Sequence, residues 1–300
     1  TRLGRWSRGL GDVYKDSDWA GRLEVSDAYD PNDLALVLVT ILPIAIMQGV
    51  LRGGRVRLIY FGVAAVMALA ILLTQSRGGF LALLTASGLL ALTRFDADKR
   101  RFKTTFPGPG VILLMALSSV AIWVALPADG KERLMGTFNL SGDYNMNHES
   151  GRLAIWGRAL ESVAKRPYGS GFGNSGVADG MAGGRYKATH NAFLQLTVEL
   201  GVLGLIAYLM VYWRAFKMLR RWAYIERSPP DSDQRSVQYW STGVLIGLVA
   251  FSVAAFFLSQ AYSWVLVVIF AFVMGVELTT RNTPPEPAEA TAGDSTRGRR

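Results

Sequence analysis

The sequence of 300 residues contains no cysteine. That excludes disulfides and thiolate metal sites, and it assigns no redox compartment. Histidine is almost as scarce. Only His148 and His190 occur, which argues against a multi-histidine metal centre. Charge is short as well, at 18% of residues, against about a quarter in soluble domains. Mean hydropathy is +0.23, and half of the chain is hydrophobic. Little charge with much apolar surface points to a membrane protein. No repeat with a period of about 20–50 residues is visible. The first 32 residues are polar and mixed in charge, without the pattern of a signal peptide.

What is present is a series of apolar runs. A spanning helix needs about 20 largely apolar residues. Candidates are Asp33 to Leu51, Leu58 to Thr74, Phe80 to Thr93, Val111 to Leu126, Ala192 to Trp213, Thr242 to Leu258, and Trp264 to Leu278. The third is short, and only "SQAYS" separates the last two. All seven read as helices, because an open sheet cannot satisfy its backbone in lipid. Pro43 allows a kink in the first. The expected fold is all-α: a polytopic integral membrane helical bundle with a large periplasmic loop packed on it as a lid.

Orientation follows from the loops. Arg52, Arg55 and Arg57 divide spans one and two. Arg94, Lys99, Arg100, Arg101 and Lys103 divide three and four, and Arg214, Lys217, Arg220, Arg221, Arg227 and Arg235 divide five and six. These alternate loops share one side, which the positive-inside rule makes cytoplasmic. The net charge of +9 is therefore mostly topology and requires no nucleic-acid partner. The division expected is a periplasmic segment 1–32, four spans within 33–126, a periplasmic loop 127–190, three spans within 191–280, and a disordered cytoplasmic tail 281–300. A chain that starts outside in this way reads as the downstream part of a longer protein, with an odd number of spans before Thr1.

The outer loop is too small for a large independent core. Within it, "SGRLAIWGRALESVAKRP" has helical spacing, with Leu153, Trp156, Leu160 and Val163 on one side. Ser150 is the expected N-cap and Pro167 the stop. The next stretch, "YGSGFGNSG", contains G-x-G-x-x-G at Gly171 to Gly176. Neither a preceding strand nor a helix start supports a dinucleotide site, so the run reads as a loop or hinge. Three D-x-D triplets, Asp16/Asp18, Asp96/Asp98 and Asp231/Asp233, read as solvated charge.

Three residues on the outer side are candidates for chemistry. Arg77 lies in a very short turn and breaks the charge asymmetry. It is either a snorkelling anchor or an anion clamp at the membrane edge. Arg152 opens the amphipathic helix, as a solvated or Glu149-paired charge or as part of an anion site. Arg133, Arg158, Lys165, Arg166, Arg185 and Lys187 compete for that role, and a basic loop over a membrane suits a phosphate-bearing ligand. His190 stands where the loop enters span five. It is either an interfacial histidine bonded to a carbonyl or a general base, since an ordinary pKa near 6.5 suits proton transfer at neutral pH. Asn191, Gln195 and Glu199 follow at i, i+4 and i+8, so they form one stripe that should face a cavity or other helices. Gly201 and Gly204 would allow close helix approach below it.

The stretch "HNAFLQLTVELGVLG" fits H-[NSQ]-x9-G-x-x-G, with His190, Asn191, Gly201 and Gly204 at the fixed positions. In this it resembles the signature of bacterial O-antigen ligases. "QSRGGFLALL" resembles that family's S-R-G turn, "SGRLAIWGRAL…RPYGSGFG" its G-R-x-x-I-W…P-x-G-x-G segment, and "YDPNDLALVL" a segment entering an earlier span. The resemblance implies an integral membrane glycosyltransferase of around a dozen helices in a bacterial inner membrane. It would move a glycan from undecaprenyl pyrophosphate to an acceptor, typically lipid A–core, without metal, nucleotide or other cofactor. It implies that Arg77 and Arg152 hold the pyrophosphate and that His190 activates or orients the acceptor hydroxyl. Asn191 and Arg185 are expected to bind substrate, with Gln195 and Glu199 as a structural polar stripe. Related polymerases and protein O-oligosaccharyltransferases would use the same residues with another acceptor. A transporter of a lipid-linked anion is the alternative from a different class.

Overall fold

The computed structural model describes residues 23, 30–96, 101–104, 131, 151–224 and 232–281. The expected span at Val111 to Leu126, the candidates His148, Glu149 and Arg133, the Ser150 cap and the tail from 282 lie outside the described residues, as do most of 1–32 and 127–150.

Helix α1 spans Pro31–Leu51. Its start is set by Asp30, whose Oδ1 accepts from the backbone N–H of Asn32 (2.6 Å) and Asp33 (2.8 Å), with proline in the first turn where no N–H is needed. Helix α2 spans Gly54–Leu73, and α3 spans Arg77–Leu92. Ser76 caps α3 by accepting from Gly79 N–H at 3.2 Å. The loop after α3 departs from the all-helical expectation. Strands β1 (Thr93–Asp96) and β2 (Arg101–Thr104) pair antiparallel, with Thr93 opposite Thr104 and Asp96 opposite Arg101. Threonine and phenylalanine favour extended backbone, and the ribbon answers that preference once the apolar run has ended.

Helix α4 spans Arg152–Lys165 and α5 spans Ser175–Met181. Helix α6 covers Ala192–Ala223, α7 Ser232–Ala255 and α8 Trp264–Arg281. The centre of the bundle is α1 against α7. Gly243 lies against the Ile44 backbone and Gly247 against the Thr40 carbonyl, so glycine lets the two main chains approach. Pro43 is accommodated inside α1 at this contact. The Tyr212 and Ser252 hydroxyls, 2.6 Å apart, tie α6 to α7.

Burial differs sharply between the helices. The apolar window of α7 is 72% buried, but that of α2 only 17%. Leu58, Ile59 and Val66 of α2 are each at least 65% exposed. In water such a face would be a large unfavourable patch, whereas a bilayer solvates it. Among the described residues four helices, α1, α2, α6 and α7, are long and apolar enough to cross a membrane, and the Arg77–Leu92 and Trp264–Leu278 helices are shorter apolar segments. The protein is a multi-pass, mainly helical membrane protein.

The amphipathic helix α4 forms where its spacing predicts, but it buries a different stripe. Ile155 and Ala159 are buried, while Leu153 (50%) and Leu160 (61%) are exposed. Ala159 packs with Ala178 of α5 and Val198 of α6. Small residues are needed there because three helices converge. The cap is Gly151, without a side-chain bond.

Candidate functional site

The functional candidates gather where α6 begins. His190 has left-handed backbone, φ 47°, unusual for a residue with a β-carbon. Neighbouring bonds hold it there. The His190 N–H donates to Ser259 Oγ at 2.8 Å, and Trp156 Nε1–H donates to the Thr189 carbonyl at 2.8 Å. Asn191 follows as N-cap of α6, its Oδ1 accepting from Leu194 N–H at 2.9 Å. The expected substrate-binding amide thus uses its oxygen to start the helix. Burial lowers the pKa of His190, and the Arg152 charge lowers it further. Lys187 acts in the same direction and Asp30 against it. The net effect favours a neutral imidazole at neutral pH.

Arg152, the first residue of α4, sets its guanidinium over the Phe257 ring at 5.9 Å from the centroid. Phe257 also contacts α3, where a β-carbon on Gly78 would stand 3.3 Å from the Phe257 Cβ. Gly78 directly follows Arg77, so the aromatic residue lies between the elements that carry the two arginines. Gly79 in turn sits against Ala35 of α1. Less than a turn before the core residues Ala35 and Leu36, Asp33 Oδ1 accepts from Gln260 Nε2 at 2.7 Å. The starts of α1, α3, α4 and α6 and the turn between α7 and α8 therefore converge on one end of the bundle.

The polar stripe of α6 is enclosed by protein and not by an open cavity. Glu199 is 1% exposed. Its carboxylate accepts from Gly173 N–H at 3.0 Å, Ser175 N–H at 3.3 Å and Gln195 Nε2 at 3.4 Å. The Gln195 Oε1 accepts from Ala261 N–H at 3.4 Å. Burial, and then a hydrogen bond to Glu199, push the Tyr262 phenol above its ordinary pKa. The glycine-rich run does cradle an anion, but the anion is the chain's own carboxylate.

That run is not a free hinge. Ser170 and Gly171 N–H donate to the Val198 and Glu199 carbonyls at 2.8 and 2.9 Å, and Val202 N–H donates to the Pro167 carbonyl at 2.9 Å. A short helix also starts at Ser175, where none was expected. The bonding requires α6 to open at Gly201, which adopts φ 73°, ψ −176°. A β-carbon there would strike Pro167 and Tyr168. So Gly201 admits a loop backbone rather than a neighbouring helix. Gly204 faces Leu200 of its own helix.

The other basic candidates divide. Arg158 Nε is bonded to Asp179 Oδ1 at 2.7 Å, and Asp179 also accepts from Lys187 N–H at 3.1 Å. Lys165 pairs with Glu161. Arg166 and Arg185 are exposed. No hydrogen bond or ion pair described here carries Arg185 towards His190. Sequence reading passed over Phe257, Ser259, Gln260, Asp30 and Asp33. The signal was available in "SQAYS", where hydroxyl and amide groups stand between two apolar helices and require partners.

A comparison with protein families matches the O-antigen ligase family over residues 62–209. Over that stretch, just under half of its length, the chain carries the domain of the O-antigen ligase family. The match takes in Arg77, Arg152, His190, Gln195 and Glu199. No curated protein and no solved structure matches the chain. That domain points to a membrane glycosyltransferase of the ligase or polymerase type, with lipid-linked glycan and membrane as partners.

Proposed function

We propose that this protein transfers a glycan from undecaprenyl pyrophosphate to an acceptor hydroxyl, on the periplasmic face of a bacterial inner membrane. The acceptor we favour is lipid A–core, because the histidine signature is that of the ligases. His190 is the general base. Arg77 and Arg152 hold the diphosphate and stabilise the charge that develops on it as the anomeric bond breaks. The acceptor oxygen displaces the diphosphate with inversion, and its proton passes to His190. The arginines take the part that a divalent cation plays in other diphosphate-leaving reactions. Arg185 would contact substrate from the exposed edge of the loop.

The observation that carries this reading is the setting of His190. Its backbone is pinned in a left-handed turn while burial and the Arg152 charge favour the neutral, proton-accepting form. A base beside a fixed positive charge suits attack on a donor whose leaving group is a diphosphate. The deciding experiment supplies the purified full-length protein with undecaprenyl-pyrophosphate glycan and separate acceptors, without added metal. Glycan on lipid A–core is the expected product. A lengthened glycan would make the protein a polymerase, and a modified protein a protein O-oligosaccharyltransferase. Movement of the donor across the bilayer without any new glycosidic bond would overturn the enzymatic reading.

A further inference from the structure

At the far end of α6 from His190 lies a groove of about 520 Å³, lined by Trp213, Phe216, Lys217, Arg220, Arg221 and Tyr224. We propose that it binds the phosphate of an anionic phospholipid, in the leaflet opposite the His190 end. The spacing of these residues puts all six on one helix face. The flank formed by Ala215, Leu219 and Ala223 is buried against the bundle, which fixes the direction the groove faces.

Depth in the bilayer assigns the ligand class. The apolar run of α6 beyond its opening at Gly201 ends at Trp213, and Arg214 and Lys217 follow, so the helix leaves the hydrocarbon layer there. Trp213, 61% exposed, then stands at the interface, with its ring stacked on Phe216 at 6.2 Å and 16°. The basic residues follow one to two turns further out, at the level of headgroups. Lys217, Arg220 and Arg221 are exposed, and among the described residues no carboxylate pairs with them. Two guanidinium forks and an ammonium can bind phosphate oxygens while the stacked rings receive the glycerol and upper acyl chain.

The test uses the full chain in detergent, with retained lipid counted by native mass spectrometry after exchange with phosphatidylglycerol or phosphatidylcholine. Phosphatidylglycerol should be retained in preference. A basic residue near an anionic surface is worth about fivefold in binding. Arg220→Gln with Arg221→Gln should therefore lower retention on the order of twentyfold, and the single exposed change Lys217→Gln about fivefold. Arg52→Gln with Arg55→Gln removes the same charge from the same end and should leave retention unchanged. Equal loss in both double variants would make the binding diffuse surface charge and overturn the site. So would equal retention of both lipids, or full retention by the Arg220/Arg221 and Lys217 variants. Displacement of the lipid by inorganic phosphate at matched concentration would show a bare phosphate site and overturn the lipid assignment.

Discussion

His190 carries two separable features, a backbone turn and a titrating ring. His190→Ala removes the base, and the expected result is a 10²–10⁴-fold loss of transfer with normal membrane abundance. His190→Asn is the sharper variant, because asparagine tolerates left-handed backbone and should keep the turn bonded to Ser259. Full transfer by either, measured with purified donor and acceptor, would exclude the base. The pH dependence follows from the same group. Its pKa lies below 6.5 because burial and Arg152 disfavour the imidazolium. Activity should hold through neutral pH and fall on the acid side with an apparent pKa below 6.5. Arg152→Gln removes one of the causes that lower it, so the acid limb should move to higher pH, whatever happens to the maximal rate. An unmoved limb in that variant would separate Arg152 from His190. Stability has the same sign. The folded protein resists protonation at this residue more than the unfolded chain does, so stability is lost as pH falls through the ordinary histidine range.

At the scale of elements, the contact between the glycine-rich loop and α6 stands on two residues. Glu199→Ala would leave the Gly173 and Ser175 N–H groups without their acceptor, at a cost of about 1–3 kcal/mol for each that stays buried. Gly201→Ala forces a β-carbon into backbone territory that is essentially reserved for glycine, at about 1–3 kcal/mol before its clash with Pro167 and Tyr168 is counted. Both variants should speed proteolysis between Pro167 and Gly176 and lower the thermal midpoint. Unchanged cleavage in both would mean that the loop is held elsewhere. These roles show how far the sequence could be read. Apolar length located the six expected spans that fall among the described residues, and the i, i+4, i+8 spacing of Asn191, Gln195 and Glu199 announced a stripe that avoids lipid. Spacing could not name its partner. The main chain that meets Glu199 lies 24 and 26 residues earlier, and backbone N–H groups carry no side-chain signature. The face of α4 was misjudged for a related reason. Leu153 and Leu160 are larger, but only Ala159 is small enough where Ala178 and Val198 converge. The β1–β2 ribbon had no periodicity to betray it, because four-residue strands are too short to show one.

For the whole molecule, the charge asymmetry of the loops is an argument about sides, and it can be tested without disturbing the site. These 300 residues contain no cysteine, so a single cysteine introduced among them is the only thiol in this stretch. Tyr186 is 69% exposed on the segment leading to His190. Arg55 is exposed at the other end of the bundle, in the first turn of α2. By the positive-inside rule the Arg55 end is expected in the cytoplasm, and the path of α6 then puts residue 186 on the opposite face. Tyr186→Cys in intact cells with a permeable outer membrane should react with a charged, membrane-impermeant maleimide. Arg55→Cys should react only after the inner membrane is breached. A glycan donor flipped to the periplasmic leaflet can meet His190 only if this pattern holds. Labelling of Arg55→Cys in intact cells, with protection of Tyr186→Cys, would invert the bundle. His190 would then face the compartment that contains nucleotide-activated sugars, and a lipid-linked donor would lose its topological rationale even if the geometry around His190 stood unchanged.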